Sequence, residues 1–427
     1  MTKLIARPGG ALIGKAAIPG DKSGSHRALI LAAMAEGESV ITNLNEAEDV
    51  MRTLRAVEAL GVEVERVGER QWRVRGARWR TPDAPIDCGN SGTTARLLIG
   101  AVAGMEGVSA TLVGDRSLSV RPMRRVVAPL TRMGAAIEGG ETLPLTVHGA
   151  RLGGIDFTNV PASAQVKSAI LLAGLSGSAP VRITEPVPSR DHTEIMLGEF
   201  GCPLEAVDGG FVLGMDRNLT GCAITIGADP SAAAFALTAA AIIPGSSVTV
   251  VAMLVNRSRT GLYEVLEEMG AAVRLANERI VSGEILADVT IGHGRLQGVT
   301  VTAERIPAMI DEIPALAVAA AMADGETILH GLAELRVKES DRLGATLAGL
   351  IACGVTALAD GDSLRIFGRG SARGGAVLSH GDHRIAMAFL TLGLAADGPV
   401  TLDDGAMIAT SFPDFVDSMR ALGADIA

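Results

Sequence analysis

Two kinds of segment alternate along this chain, and they differ in how apolar positions are spaced. The first kind is apolar on every side for about ten residues. It then passes a small turn and enters a β-branched strand. Residues 27–44, 95–114, 167–184, 232–251, 314–332 and 384–404 are its six copies. A helix with no polar face is predicted to be buried. The turn glycines are Gly37, Gly107, Gly177, Gly245, Gly325 and Gly398, spaced 70, 70, 68, 80 and 73 residues apart. Such even spacing marks internal repeats.

The second kind is amphipathic. ALGVEVE, RMGAAIE, EFGCPLE, EMGAAVR, ACGVTAL and ALGADIA each close a helix on a glycine and open a strand. Their glycines, Gly61, Gly134, Gly201, Gly270, Gly354 and Gly423, are 73, 67, 69, 84 and 69 residues apart. LYEVLEEMG illustrates the polar face that should stay in water.

Each unit thus holds two helices and several strands, βαβαβ-like. Six of them are too many for one core and too large for solenoid repeats. The economical α/β reading is two similar domains of three units each. Residues 19–228 would hold repeats one to three, and 1–18 plus 229–427 repeats four to six. A strand near 15–19 should pair with the other domain, so that the chain crosses twice.

Composition narrows the partners. The 427 residues are 48% hydrophobic and 20% charged, an ordinary folded balance. A net charge of −10, with two Trp, one Tyr and eight Phe, offers neither a basic stripe nor stacking platforms, so no nucleic acid is expected. No apolar stretch approaches the ~18–20 residues of a membrane span, so no membrane partner is expected. MTKLIARPGG has no signal-peptide core. Cys88, Cys202, Cys222 and Cys353 form no CxxC pair and no zinc spacing. They read as reduced thiols of a cytoplasmic protein with no metal site.

The residues opening the six buried helices carry the candidate chemistry. They are GDKSGSHR (20–27), GNSGTT (89–94), SAQVKS (163–168), DPSA (229–232), MIDEIP (309–314) and GDHR (381–384). Capping accounts for their Ser, Asp, Asn and Gly. It does not account for Lys22, Arg27, Lys167 and Arg384, which oppose the positive end of a helix dipole. Related repeats should aim these ends at one interdomain cleft, where a phosphate or carboxylate would remove the conflict. SVRPMRR (119–125) reads either as a solvated charge run or as more ligand-binding cations. ELRVKESDRL (334–343) places Lys338 and Arg342 on one helical face beside Glu339, as a surface ion-pair ladder or a site. HExxH, Walker A, GxSxG and a well-placed GxGxxG are absent, leaving metal hydrolysis, NTPase and acyl-enzyme chemistry without support.

Taken in order, GDKSGSHR, GNSGTTAR, RPMRR, SAQVK, RDHTE, IDEIP, RVKESDRL and DHRIAM resemble the enolpyruvyl-shikimate-phosphate synthases across essentially the whole chain. SAQVK, RPMRR and RDHTE are similar to the class II branch, usually the glyphosate-tolerant one. The resemblance implies two domains, each of three βαβαββ repeats with buried parallel helices, an inside-out α/β barrel. It implies transfer of the enolpyruvyl group of phosphoenolpyruvate to the 5-hydroxyl of shikimate 3-phosphate, by a monomer without a cofactor. Lys22, Ser23, Arg27, Ser163, Gln165, Arg190, Asp311 and Lys338 would meet shikimate 3-phosphate. Lys22, Gly92, Arg121, Gln165, Arg342 and Arg384 would meet phosphoenolpyruvate. Asp311, Glu339 and Lys22 would move protons, with Asp311 also open to a helix-capping role.

Some positions depart from the family pattern. Ala164 and Thr410 stand where relatives have serine and lysine ligands, Ser258 departs from NxTR, and Leu97 replaces a common proline. Gly92 lacks the methyl that can shorten the site against glyphosate. One rival is the UDP-N-acetylglucosamine enolpyruvyl transferase family, which usually has a cysteine before its arginine-proline motif; GDRSLSVRPM has none. An RNA phosphate cyclase is disfavoured by acidity and scarce aromatics. A non-catalytic phosphate-binding module would need the cations but neither Asp311 nor Glu339.

Overall fold

In the computed structural model, which describes residues 3–427, the six apolar segments form helices Lys22–Met34, Gly92–Ala103, Ala164–Gly174, Pro230–Ile242, Ile313–Ala321 and His383–Gly393. Every residue of the last three is buried. Small residues let these helices touch. A Cβ on Gly100 would fall 2.2 Å from the Ala169 carbonyl oxygen, and one on Gly104 would fall 2.7 Å from that of Ala173. Both contacts advance by four residues in the same sense, so these two helices run parallel with their backbones in contact. Only glycine permits that approach.

The amphipathic segments form Glu48–Ala59, Arg124–Arg132, His192–Glu199, Gly261–Met269, Arg342–Ala352 and Phe415–Ala421. The six glycines that follow them have φ from 78° to 110°, the left-handed turn that ends a helix without a Cβ clash.

Among the described residues the strands form six four-stranded sheets. In the second repeat, Ile86–Asp87 runs parallel to Ser109–Val113, which pairs antiparallel with Leu145–His148, and Ala136–Gly139 lies at the edge. The third repeat has the same order, and this is the βαβαββ unit. Three repeats borrow a strand. Ala223–Thr225, at the end of repeat three, lies parallel to Glu38–Thr42 of repeat one and closes the set of three. Ile13–Lys15 lies parallel to Ser247–Leu254 of repeat four, and Leu4–Arg7 pairs with Val400–Leu402 and Asp425–Ile426 of repeat six. The strand expected near 15–19 is therefore Ile13–Lys15, and residues 16–19 lie outside any strand. The six apolar helices are buried while the amphipathic ones keep an exposed face; among the described residues the strands make open sheets, with no closed strand barrel.

The chain divides into two compact units. One is Met1–Asp21, Gly227–Ile280 and Ile285–Ala427; the other is Lys22–Ile226 and Val281–Glu284. The crossings thus fall at 21/22 and 226/227 rather than the expected 18/19 and 228/229, and the short segment Val281–Glu284 was not foreseen. Each unit has its own apolar core. No described helix is long and apolar enough to cross a membrane.

Candidate active site

In the unit of repeats one to three, the predicted residues gather at the N-termini of the buried helices. Lys22 opens the first helix, with Nζ 2.9 Å from Asp49 Oδ2. Ser23 follows, half-buried, and its carbonyl accepts from Arg27 Nη1 at 2.9 Å. Arg27 is buried. Its Nε donates to Thr193 Oγ1 at 2.7 Å and its Nη2 to Ser168 Oγ at 2.8 Å. Its fork therefore braces three helices.

Gly92 begins the second buried helix, where Ser91 Oγ accepts from the Thr94 amide. A Cβ at Gly92 would lie 2.7 Å from Arg96 Nη1 and 3.3 Å from Arg121 Nη1. Arg96 donates to Gln165 Oε1 at 2.9 Å, and Gln165 Nε2 donates to Thr93 Oγ1 at 2.9 Å. Two guanidinium groups and an amide thus converge over bare backbone. Of the SVRPMRR arginines, Arg121 is buried, while Arg124 and Arg125 are exposed. Ser163 caps the third buried helix, and Arg190 is half-buried just before His192–Glu199.

Lys167 corrects the sequence reading. It is fully buried, with Nζ 2.7 Å from Glu185, 2.5 Å from Glu194 and 5.5 Å from the Phe211 ring centroid. Buried and paired with two carboxylates, it is no anion trap. The lysine of SAQVK and the glutamate of RDHTE are one buried pair. Burial pushes the Glu194 carboxyl above its usual range, against the pull of Lys167.

The unit of repeats four to six is different. Asp311 Oδ1 lies 3.2 Å from Lys338 Nζ and 3.3 Å from Arg342 Nη1. Arg342 is buried and also meets Glu339 Oε2 at 2.5 Å and Asp382 Oδ2 at 2.9 Å. Arg384 Nη1 donates to the Asp311 carbonyl at 3.0 Å and to Glu312 Oε1 at 3.3 Å. Burial alone would lower the Arg342 pKa, but Asp382, Glu339 and Asp311 together hold it above its usual value. Burial likewise opposes ionised Asp382, and Arg342 outweighs it, so the Asp382 pKa is lowered.

Two local expectations fail here. Lys338 and Arg342 do not share a helical face. Ala333–Val337 is a 3-10 turn, Lys338 is extended, and a new helix starts at Arg342 with Asp341 as its cap. That break turns both cations onto Asp311, and the burial of Arg342 removes the surface-ladder reading. Asp311 is not a helix cap either. Glu312 holds that position without a capping bond, while the Asp311 carboxylate goes to the cations.

Sequence reasoning missed Arg96, Thr93, Asp382 and Glu312 as members of these clusters. Arg96 had a signal, since it lies four residues after Gly92 on the same helical face. Asp382 was read as a cap. It does accept from the Arg384 amide at 2.9 Å, and it anchors Arg342 as well. Thr410 Oγ1 is bonded to the Met407 carbonyl at 2.7 Å. Burial pushes the Cys88 and Cys353 thiols up to about 12, so neither is a nucleophile.

Comparison with known proteins agrees along the chain. The family model for EPSP synthase (3-phosphoshikimate 1-carboxyvinyltransferase) matches residues 6–419. Relatives named 3-phosphoshikimate 1-carboxyvinyltransferase include one from Caulobacter vibrioides, 49% identical over 99% of this chain and 98% of its own length. Another, from Rhodopseudomonas palustris, is 51% identical over 100% of this chain and 98% of its own. The solved EPSP synthase of Acinetobacter baumannii is 39% identical with a TM-score of 0.89, covering 100% of both chains. The enolpyruvyl transferase NikO of Streptomyces tendae, 21% identical with a TM-score of 0.82 over 100% of this chain and 98% of its own, shares the fold. With its length covered by one family model and by relatives at half identity, this chain belongs to the EPSP synthase family.

Proposed function

We propose that the cation-rich cluster around Gly92 and the carboxylate-rich cluster around Asp311 divide one reaction between them. As a member of its family, the chain transfers the enolpyruvyl group of phosphoenolpyruvate to the 5-hydroxyl of shikimate 3-phosphate, releasing phosphate, in aromatic amino acid biosynthesis. The hydroxyl oxygen bonds to C2 of phosphoenolpyruvate while C3 gains a proton. The C2–O bond to phosphate then breaks as C3 loses a proton.

Asp311 takes the hydroxyl proton. Glu339 and Lys22 serve the proton at C3, and Lys22 neutralises the leaving phosphate. Arg121, Arg342 and Arg384, with Gly92 and Gln165, hold phosphoenolpyruvate, whose phosphate and carboxylate suit planar guanidinium forks. Ser23, Arg27, Ser163, Arg190 and Lys338 join Lys22, Gln165 and Asp311 around shikimate 3-phosphate. Arginines and helix ends supply the charge, so no cofactor enters this reading. The enzyme is read as cytoplasmic on the thiol pattern above and as a monomer on the family resemblance.

One observation carries the proton-transfer assignment. Asp311 and Glu339 both contact the buried Arg342 guanidinium, which fixes two carboxylates side by side. A binding module would need neither. The test is phosphate release. It should require phosphoenolpyruvate and shikimate 3-phosphate together, with neither substrate sufficient alone. Turnover with UDP-N-acetylglucosamine in place of shikimate 3-phosphate would favour the sister family instead.

A further inference from the structure

Glu312 has no role in the reaction just described, yet its surroundings are among the most constrained in the molecule. Its side chain is buried at the start of Ile313–Ala321 and makes no capping bond there. Its Oε1 accepts a short hydrogen bond from Ser231 Oγ and a second bond, at 3.3 Å, from Arg384 Nη1. Its Oε2 is buried with no hydrogen-bond partner among the described residues. Burying a carboxylate is unfavourable unless a cation answers it.

The chain of donors continues on the far side of Ser231. Arg259 is buried, with Nη2 2.9 Å from Ser231 Oγ and 3.1 Å from Asp229 Oδ1, and Nη1 2.8 Å from Asp21 Oδ2. Two carboxylates thus fix its fork. A tight turn aims it: the Asn256 side chain accepts from the Ser258 amide and hydroxyl, and the Asn256 carbonyl accepts from the Arg259 amide at 2.8 Å. The proton directions are forced. Arginine can only donate, so Ser231 accepts from Arg259 and gives its single proton to Glu312. Glu312 can then only accept, and Arg384 donates to it.

We propose that Glu312, oriented by Arg259 through Ser231, is a positioning residue that fixes the guanidinium of Arg384 for phosphoenolpyruvate. This rests on the reading of Arg384 as a ligand for that substrate. Steady-state kinetics on purified Glu312→Ala, Glu312→Gln, Arg384→Ala and the double variant Glu312→Ala/Arg384→Ala test it. Glu312→Ala should raise KM for phosphoenolpyruvate on the order of tenfold, while kcat and KM for shikimate 3-phosphate change little. Glu312→Gln keeps an acceptor oxygen for Ser231 and Arg384 and should recover most of the loss. Once Arg384 is alanine, removing Glu312 should add no further rise. If Glu312→Ala leaves KM for phosphoenolpyruvate unchanged while Arg384→Ala raises it, the inference falls and the ligand reading stands. Equal damage to both substrates, or additive effects in the double variant, also overturns it. If Arg384→Ala is silent, the ligand reading falls and takes the inference with it. Should Glu312→Ala fail to fold, Ser231→Ala severs the same relay with a smaller change. It should give a smaller rise of the same kind, and an unchanged KM would again be fatal.

Discussion

The two units repeat one fold and put opposite chemistry at the same places. In repeats one to three, Lys22, Arg96 and Arg121 stand at helix starts among hydroxyls, an amide and glycine backbone, with Asp49 on Lys22. In repeats four to six, Lys338, Arg342 and Arg384 meet Asp311, Glu312, Glu339 and Asp382. Asp49 meets Lys22 in the first cluster, whereas Asp311, Glu312, Glu339 and Asp382 surround the cations of the second. The first cluster leaves its cations mostly among neutral groups, and the second pairs each cation with carboxylates. Symmetry of backbone therefore carries no symmetry of function; the side chains at the helix starts decide it.

The largest effect should separate the clusters by kinetic parameter. Asp311→Asn keeps shape and removes the proposed base, so kcat should fall on the order of 10²–10⁴-fold with near-normal affinity for shikimate 3-phosphate. Arg121→Ala should act mainly on KM for phosphoenolpyruvate, through loss of a charged fork. If Asp311→Asn keeps most of its turnover, the carboxylate-rich cluster is a binding site like the other.

A second experiment sharpens the role of Gly92. From the sequence, a methyl there acts by filling space against the ligand. In the structure it would first strike Arg96 Nη1, at 2.7 Å, and crowd Arg121 Nη1, at 3.3 Å. Gly92→Ala should therefore displace the arginines. The wild type should be measurably inhibited by glyphosate, and the variant's Ki should rise by at least about tenfold, near 1.4 kcal/mol. KM for phosphoenolpyruvate should rise less, because the shorter ligand leaves more room. Inhibition at matched phosphoenolpyruvate decides it. A wild type insensitive at millimolar glyphosate would point to Ala164, Leu97 or Thr410 instead.

What the sequence made legible, and what it hid, follows from the range of the forces involved. Repeat number, buried helices and glycine stops are local or periodic, and they could be read directly. The borrowed strands were harder, because Ala223–Thr225 and Leu4–Arg7 pair across long separations with no local signature. Among site residues, Asp311 and Lys338 were named, but their contact depended on a helix break at Lys338 that the i, i+4 spacing concealed. Lys167 misled because a cation near a helix start looks alike in sequence whether it faces a ligand or a buried carboxylate.

The smallest expected effect concerns acid. Asp382 has a native pKa below its ordinary 3.8. Its stabilising contribution is complete above that value and is lost as pH falls through the native pKa. Glu194 has the opposite sign: its native pKa lies above the ordinary 4.5, so protonation on acidification relieves a buried charge. Hydrogen exchange at stepwise lower pH should show His383–Gly393 losing protection before Ala164–Gly174 does. The reverse order would mean that other groups control the acid response.

Arg7 lies on a strand whose partners include the last strand of the chain, and its side chain bonds Asp425, 418 residues later. Made by a ribosome at ~5–20 residues per second, that strand waits on the order of 20–80 s for its neighbours. Lys22–Ile226, by contrast, is nearly contiguous and can fold while the rest is still being translated. The unit that supplies the carboxylates is thus the last to exist. Until Val400–Leu402 and Asp425–Ile426 are made, Leu4–Arg7 is an unpaired strand open to the wrong partner.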